Sequence, residues 1–284
     1  MHAAYAPFVP AAYASLRAQT YPRWRWLVQI DGVNDTAVRT ALAVTGALTD
    51  ERVQVESNRA MAGPAVTRNI ALARAEAPLL QNLDADDQLE PNALELLVAA
   101  MRRHPEAGYA VGHARDLLPD GTLREHPLPL PPGIQRRGAL SDEWLSDPEH
   151  YRLPVHPAGA MWRRPLVVEL GGWTALLGME DTGLLMAASA AAEGVLVDAP
   201  ILRYRKHPRQ RSLRTGRSKF AGGGGAYFAS AGTGRTPGRG AAPVAARFAS
   251  RMSPTDVART SPSAAVVGEA TGNRTNELVQ DLAS

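Results

Sequence analysis

Leu79-Leu-Gln-Asn-Leu83 runs directly into Asp84-Ala-Asp86-Asp87, and Trp26-Leu-Val-Gln-Ile30 runs directly into Asp31-Gly32. Both are short apolar segments of the length and composition of buried strands, and both end in carboxylates. Helical patterns surround them. Phe8–Gln19 reads as a helix with Pro10 tolerated in its first turn. Thr36–Leu48 has helical apolar spacing, Pro64–Ala75 carries proline near its start, and Glu90–Arg103 places Leu94, Leu97 and Met101 on one face. Val53–Glu56 and Tyr109–Arg115 complete the strand candidates of this half. Strands alternating with helices through short loops imply an α/β fold. The expected form is a doubly wound, mostly parallel sheet with helices on both faces.

Beyond residue 115 the pattern loosens. Pro119-Asp-Gly121 marks a turn, and Pro127 to Pro132 is too proline-rich for regular structure. Thr182–Ala192 reads as a helix and Val195–Asp198 as a final short strand. Near residue 215 the composition changes. Of the 64 residues from Ala221 to Ser284, 40 are Ala, Gly, Ser, Thr or Pro, too little apolar area to offset the entropy of ordering. The expected organisation is a folded unit over 1–214, divided near 115, and a basic, mostly disordered tail over 215–284. A short helix near Asn276–Leu282 is the exception foreseen there.

Charge follows the same division. The chain carries 31 Lys+Arg and 28 Asp+Glu, but residues 205–284 hold +9 of charge and residues 1–204 hold −6. The basic balance is therefore a property of the tail and poor evidence for a nucleic-acid-binding domain, and no nucleic-acid partner is expected. Cysteine is absent, which excludes disulfides, thiolate metal sites and a thiol nucleophile. No apolar run approaches 18 residues, and Met1–Leu16 lacks the layout of a signal peptide. A cytoplasmic location is expected, and the stretch Arg203–Arg217 leaves peripheral contact with anionic lipid open.

In an open α/β sheet, ligands bind beyond the carboxyl ends of the strands, where Asp31, Asp84, Asp86 and Asp87 fall. Three carboxylates within four residues repel one another unless water or a cation neutralises them. Mg²⁺ is typically held by one or two carboxylates with phosphate and water completing its shell, and Mn²⁺ takes the same oxygen ligands. The triplet alone reads equally well as a solvated loop entering the helix at Glu90. Glu180-Asp181 could serve merely to favour a helix N-terminus. His207 could be one more surface residue of a basic stretch.

The order of motifs narrows the choice. Ala18-Gln-Thr-Tyr-Pro22, Trp26–Gly32, Thr67-Arg68-Asn69, Leu83-Asp-Ala-Asp-Asp87, Gly171-Gly172-Trp173, Glu180-Asp181 and Tyr204-Arg-Lys-His207 follow in sequence. Together, over roughly residues 5–212, they resemble the family 2 glycosyltransferases of the GT-A fold. The resemblance implies that Asp31 contacts the nucleotide base and that Arg68 and Asn69 lie beneath the nucleotide-sugar site. It implies that Asp84 and Asp86 form the Asp-x-Asp motif with Asp87 as acidic neighbour, these residues holding the metal and contacting ribose or sugar. Asp181, with Glu180 beside it, falls at the acceptor site as catalytic base, and His207 near the diphosphate or metal.

The implied reaction is metal-dependent, inverting transfer of a sugar from a nucleoside-diphosphate-sugar to a hydroxyl acceptor, using Mn²⁺ or Mg²⁺. A glycan, a lipid-linked molecule and a small molecule all remain open as acceptors. A nucleotidyltransferase and a non-catalytic nucleotide-sugar binder are the competing readings. The pattern departs from the family in three places. Members begin with a strand of the type Val-Ser-Val-Ile-Ile-Pro, whereas Met1-His-Ala-Ala-Tyr5 is similar to the loop that follows it. The expectation is a start assigned downstream of that strand, with a degenerate gene as the alternative. Unpaired interior backbone would follow, each group costing ~1–3 kcal/mol. The usual Asp-Asp-Gly-Ser is here Ile30-Asp31-Gly32-Val33, and Thr-Gly-Leu-Leu-Met-Ala follows Asp181 where members often carry Arg.

Overall fold

The computed structural model describes residues 1–208, except 34, 127, 147–152 and 177, together with 266–267. The expected division at 214 and the helix expected at Asn276–Leu282 lie outside the described residues.

A 3-10 turn, Ala3–Phe8, leads into α1 (Val9–Arg17), which is shorter than the pattern suggested. Strand β1 (Trp26–Ile30) is followed by α2 (Thr36–Val44), β2 (Val53–Ser57), α3 (Gly63–Leu72) and β3 (Leu79–Asn82). Next come β4 (Gln88–Leu89), α4 (Ala93–Arg103), β5 (Tyr109–Leu117) and its hairpin partner β6 (Leu123–Glu125). The half expected to be irregular contains β7 (Gly133–Gln135), α5 (Ala139–Leu145), β8 (Ala160–Arg163) and α6 (Arg164–Glu169). It ends with α7 (Glu180–Ala191) and a long β9 (Gly194–Arg205); β10 (Val266–Val267) lies in the tail.

The strands form two sheets. β1 and β2 pair in parallel, while β10-β3-β8-β5-β9-β4 form the path of a larger sheet from which β6 and β7 branch. That larger sheet corrects the expectation of a mostly parallel one. Among the described residues only β5 and β9 pair in parallel within it; β3 with β8, β8 with β5, and β9 with β4 and β7 are antiparallel. The physical reason is connectivity. A parallel neighbour needs a crossover long enough to return the chain to the same end, usually a helix. After β5 the chain instead folds back through a hairpin and short connectors.

Alternate residues of the central strands enter opposite cores. Trp26, Val28 and Ile30 pack with Val9, Leu16, Leu42, Leu94 and Leu97 on one side. Leu27, Leu80, Tyr109, Val111, Trp162 and Leu196 pack with Trp144, Trp173 and Leu185 on the other. Burial on both faces is why β1 and β3 read as continuous apolar runs rather than alternating ones. Each fully buried large side chain stabilises the fold by about 1.5–3 kcal/mol. Gly194 is required by this packing, because a Cβ there would meet the Tyr109 ring at 2.2 Å.

Candidate functional site

Arg68, on α3, organises the site. Its guanidinium donates to Asp84 at 2.5 Å and to Asp181 at 2.6 Å, and lies 3.6 Å from Glu180. Three segments therefore converge on one cation: α3, the loop after β3, and the N-terminal turn of α7. Burial opposes the charge on Arg68, but Asp181, Asp84 and Glu180 outweigh it and hold the guanidinium protonated well above its ordinary range. Only a planar fork with several donors reaches two carboxylates in this way.

Asn69, the next residue, looks away from this cluster. Its Nδ2 donates to the Trp173 carbonyl at 2.7 Å, and its Oδ1 accepts the Trp173 N–H at 2.6 Å. Gly171 and Gly172 make this possible with φ of +80° and +73°. A Cβ on Gly172 would stand 2.4 Å from Asn69 Oδ1. The Gly-Gly-Trp motif thus locks the segment before α7 onto α3, which sets where Glu180 and Asp181 arrive. Trp173 itself is core.

Asp31 closes the end of β1. It accepts the N–H groups of Ala62 at 2.7 Å and Gly63 at 3.1 Å, at the start of α3, and the Asn58 amide at 3.1 Å. A carboxylate at a helix N-terminus satisfies otherwise unpaired donors. Gln29, Asn58 and Thr67 extend the network: Gln29 donates to Asn58, and Asn58 donates to Thr67. Sequence reading missed Gln29 and Asn58, because amides separated by 29 positions carry no local signal. The Met1 ammonium lies in the field of Asp31, Arg68 and Asp84 together, and burial pushes it down to about 5.

The remaining acidic residues sit one step along the loop. Asp86 Oδ2 is 3.0 Å from His207 Nε2. Burial and the neighbouring Asp84 push the Asp86 carboxyl upward, and the hydrogen bond with His207 offsets part of that. Asp87 turns inward at 1% exposure, accepts the Arg205 N–H at 3.0 Å, and leaves its Oδ2 buried without a partner among the described residues. Burial, followed by Asp86 and Asp84, pushes its carboxyl well above the usual range. The Arg205 side chain also donates to the Asp86 carbonyl at 2.9 Å, so the end of β9 pins the loop twice. Phe8 and Tyr5 flank His207, with ring centroids 4.5 and 6.1 Å away.

Next to this centre, the His156 ring packs on Tyr204 at 4.3 Å, and its Nδ1 accepts the Ala158 N–H at 3.3 Å. Burial pushes the imidazole down to about 4, so it is neutral at physiological pH. Glu90, which sequence reading used only as a helix start, joins Arg115 and Arg203 and clamps the loop after β4 to β5 and β9.

Whether these residues suit a divalent cation turns on their chemistry. No group of three or more acidic or histidine side chains among the described residues is arranged to hold a metal unaided. Asp86 and His207 do offer one oxygen and one nitrogen within hydrogen-bond distance. Burial and the repulsion among Asp84, Asp86 and Asp87 push the Asp86 and Asp87 carboxyls upward, and an added positive charge would relieve that repulsion. That fits an ion which takes its other ligands from phosphate and water. Asp87, tied to the Arg205 backbone, supports the loop from behind.

Comparison with known proteins places the chain in a family and a fold. Residues 2–166 match the sequence profile of glycosyl transferase family 2. Residues 1–349 of TarS from S. aureus, solved in complex with UDP, superpose with a TM-score of 0.56 at 17% identity, over 72% of this chain and 58% of that one. The mannosyltransferase PcManGT from Pyrobaculum calidifontis, in complex with GDP-Man and Mn²⁺, gives 0.52 at 16% identity, over 82% and 62%. A protein of Sinorhizobium fredii, y4gI, is 34% identical over 93 residues, which is 33% of this chain and 10% of that protein. The chain thus spans under two thirds of the length of each of these relatives.

Proposed function

The chain belongs to glycosyl transferase family 2, and from that premise we propose that it is a metal-dependent, inverting glycosyltransferase. It moves a sugar from a nucleoside-diphosphate-sugar to a hydroxyl acceptor. The observation that carries this reading is the single guanidinium of Arg68 joining Asp84 on the donor side to Asp181 on the acceptor side. Asp181 is brought to a cation 113 positions away that also holds Asp84, as a reaction between two bound molecules requires.

Asp31, at the end of β1, takes the nucleotide end of the donor, and Asp84 the ribose or sugar. Asp86 and His207 would hold Mn²⁺ or Mg²⁺, which when bound supplies Lewis-acid stabilisation of the departing diphosphate. Asp181 removes the proton from the acceptor hydroxyl. The freed oxygen lone pair forms the new bond to the anomeric carbon while the bond to the diphosphate oxygen breaks on the opposite face. Inversion follows from that geometry. General-base assistance of this kind contributes typically ~10²–10⁴-fold. PcManGT, bound to GDP-Man and Mn²⁺, and TarS, bound to UDP, support a nucleotide-sugar donor and a divalent ion by likeness of fold. No helix among the described residues is long and apolar enough to cross a membrane. The proposed place of action is the cytoplasm, on an acceptor met in solution or at a membrane surface.

Donor hydrolysis and transfer measured with Mn²⁺ and with EDTA test the proposal. Activity is expected only with the metal, and activity undiminished by the chelator removes the metal role. Asp181→Asn is expected to lower transfer by at least ~100-fold while leaving nucleotide binding in place. Full transfer by that variant excludes Asp181 as base.

A further inference from the structure

Along Pro154–Gly159 every residue is buried except His156, which stays partly exposed. Its ring caps the 3-10 turn Pro157–Gly159, Nδ1 accepting the Ala158 N–H at 3.3 Å. The ring also packs against Tyr204, with centroids 4.3 Å apart. Both supports are tied to the site. Gln81 on β3, three residues before Asp84, donates to the Ala158 carbonyl at 3.0 Å. Tyr204 on β9 stands three residues before His207. The Lys206 ammonium lies 4.2 Å from the Tyr204 ring centre and 2.8 Å from Asp116. His156 is thereby held between the carboxyl ends of β3 and β9, in the field of Asp84, Lys206, Asp116 and His126.

The chemistry left to this ring is narrow. Nδ1 is engaged as an acceptor, so the neutral imidazole carries its proton on Nε2. Burial pushes the ring down to about 4, which keeps it neutral at physiological pH. A protonated Nε2 has no lone pair for a metal ion and cannot take a proton as a base. It can donate a hydrogen bond. With Nδ1 and the ring engaged, the Nε2 edge is what remains open. Asp84, whose side chain is 32% exposed, brings an acceptor to the same region. A group that donates to a carboxylate and accepts from an N–H is a hydroxyl, whereas an ionised phosphate oxygen only accepts.

We propose that His156 contacts the donor sugar: its Nε2–H donates to a hydroxyl of the transferred sugar, beside Asp84, and helps select which nucleoside-diphosphate-sugar is used. This inference rests on the functional reading above and deepens it. The Ala158 bond and the Tyr204 ring preset the imidazole, so little side-chain freedom is lost when the sugar arrives. A sugar without that hydroxyl leaves the N–H unpaired, which is how a polar contact discriminates between substrates.

Calorimetry on the full chain with UDP, UDP-GlcNAc, UDP-glucose, GDP and GDP-mannose, each with Mn²⁺, tests this. His156→Asn keeps an oxygen to accept the Ala158 N–H but places no donor at the Nε2 position. His156→Gln places an amide N–H there. His156→Asn is expected to weaken the tightest-bound nucleotide-sugar about 5–10-fold and to leave its bare nucleotide unchanged. His156→Gln is expected to recover part of that loss. Bare-nucleotide binding also reports, in each variant, that the fold is intact. In the parent, the His156 Nε2–H signal in NMR is expected to shift with the nucleotide-sugar and not with the nucleotide. Equal effects of His156→Asn on the two ligands, no effect on either, or an NMR signal indifferent to the sugar would overturn the contact and leave the functional reading standing. A parent that binds neither UDP nor GDP with Mn²⁺ refutes the functional reading, and this inference with it.

Discussion

At residue scale the site depends on two unusual local solutions, and each gives a measurable consequence. Arg68 is the cation among Asp84, Glu180 and Asp181. Removing one member of a buried ion network leaves the others uncompensated, at a cost of about 3–5 kcal/mol. Arg68→Met is therefore expected to lose at least about 3 kcal/mol of stability in urea unfolding. Arg68→Lys keeps the charge but loses the fork, so it should recover only part of that loss. A parent-like midpoint for Arg68→Met would show that the three carboxylates do not depend on it. Gly172 combines a positive φ with a 2.4 Å approach to Asn69 Oδ1. Gly172→Ala should cost about 1–3 kcal/mol from backbone strain, with the contact added to it. The two contributions separate in a double-mutant cycle. In an Asn69→Ala background the contact disappears, so the Gly172→Ala penalty should shrink toward the strain alone. An undiminished penalty would assign the whole effect to φ.

At the scale of elements, the end of β5 is held by an acid-sensitive clamp. Asp116 receives Arg124 from β6 at 2.5 Å, His126 at 3.1 Å and Lys206 after β9 at 2.8 Å. Burial opposes ionisation, but Lys206, Arg124 and His126 more than offset it and hold the carboxyl down to about 2. The unfolded value is about 3.9, so this contribution is complete above about pH 4 and is lost as pH falls toward 2. Since Arg124 and His126 are half exposed, solvent screens the clamp, and about 1–2 kcal/mol is a realistic size. The difference in urea stability between the parent and Asp116→Asn should therefore shrink between pH 5 and pH 2; a constant difference would contradict the clamp. The same region shows what the sequence conveyed and what it hid. β1 and β3 were legible because burial on both faces writes a continuous apolar run. β9 was cut short at Asp198 because Asp198-Ala-Pro200 resembles a strand end. In the structure Pro200 falls opposite His113, where the β5–β9 register shifts, and an irregularity of that kind accommodates a residue without an N–H. β8 and α6 follow a proline-rich stretch whose local signal is turn-like, and only pairing with β3 and β5 makes β8 a strand. Of the site, Asp84 and Asp86 could be read from a strand end. The Arg68–Asp181 pairing could not, since it arises from the Asn69–Trp173 lock between distant segments.

At the scale of the whole molecule, the proposed donor would bridge parts that the protein connects sparingly. Asp31 belongs to the end of the two-stranded sheet, Asp86 to a loop of the larger sheet, and Asp181 to α7. Residues 1–204 also carry a net −6, so the carboxylates of the pocket meet in an already unfavourable field. A nucleoside diphosphate with Mn²⁺ supplies both the bridge and the missing positive charge. A ligand at 100 times its Kd stabilises the folded state by about 2.7 kcal/mol. For an ordered unit of this size that corresponds to a rise in Tm of about 5–10 °C. UDP or GDP with Mn²⁺ is therefore expected to raise Tm by that amount. Nucleotide with EDTA, or Mn²⁺ alone, should give much less, because each supplies one half of the compensation. Asp86→Asn should remove most of the metal-dependent part and leave the small nucleotide-only shift, since Asp31 is untouched. If nucleotide with EDTA matched nucleotide with Mn²⁺, the ligand would be held by Asp31 and its surroundings alone, and the two sheets would not share one pocket.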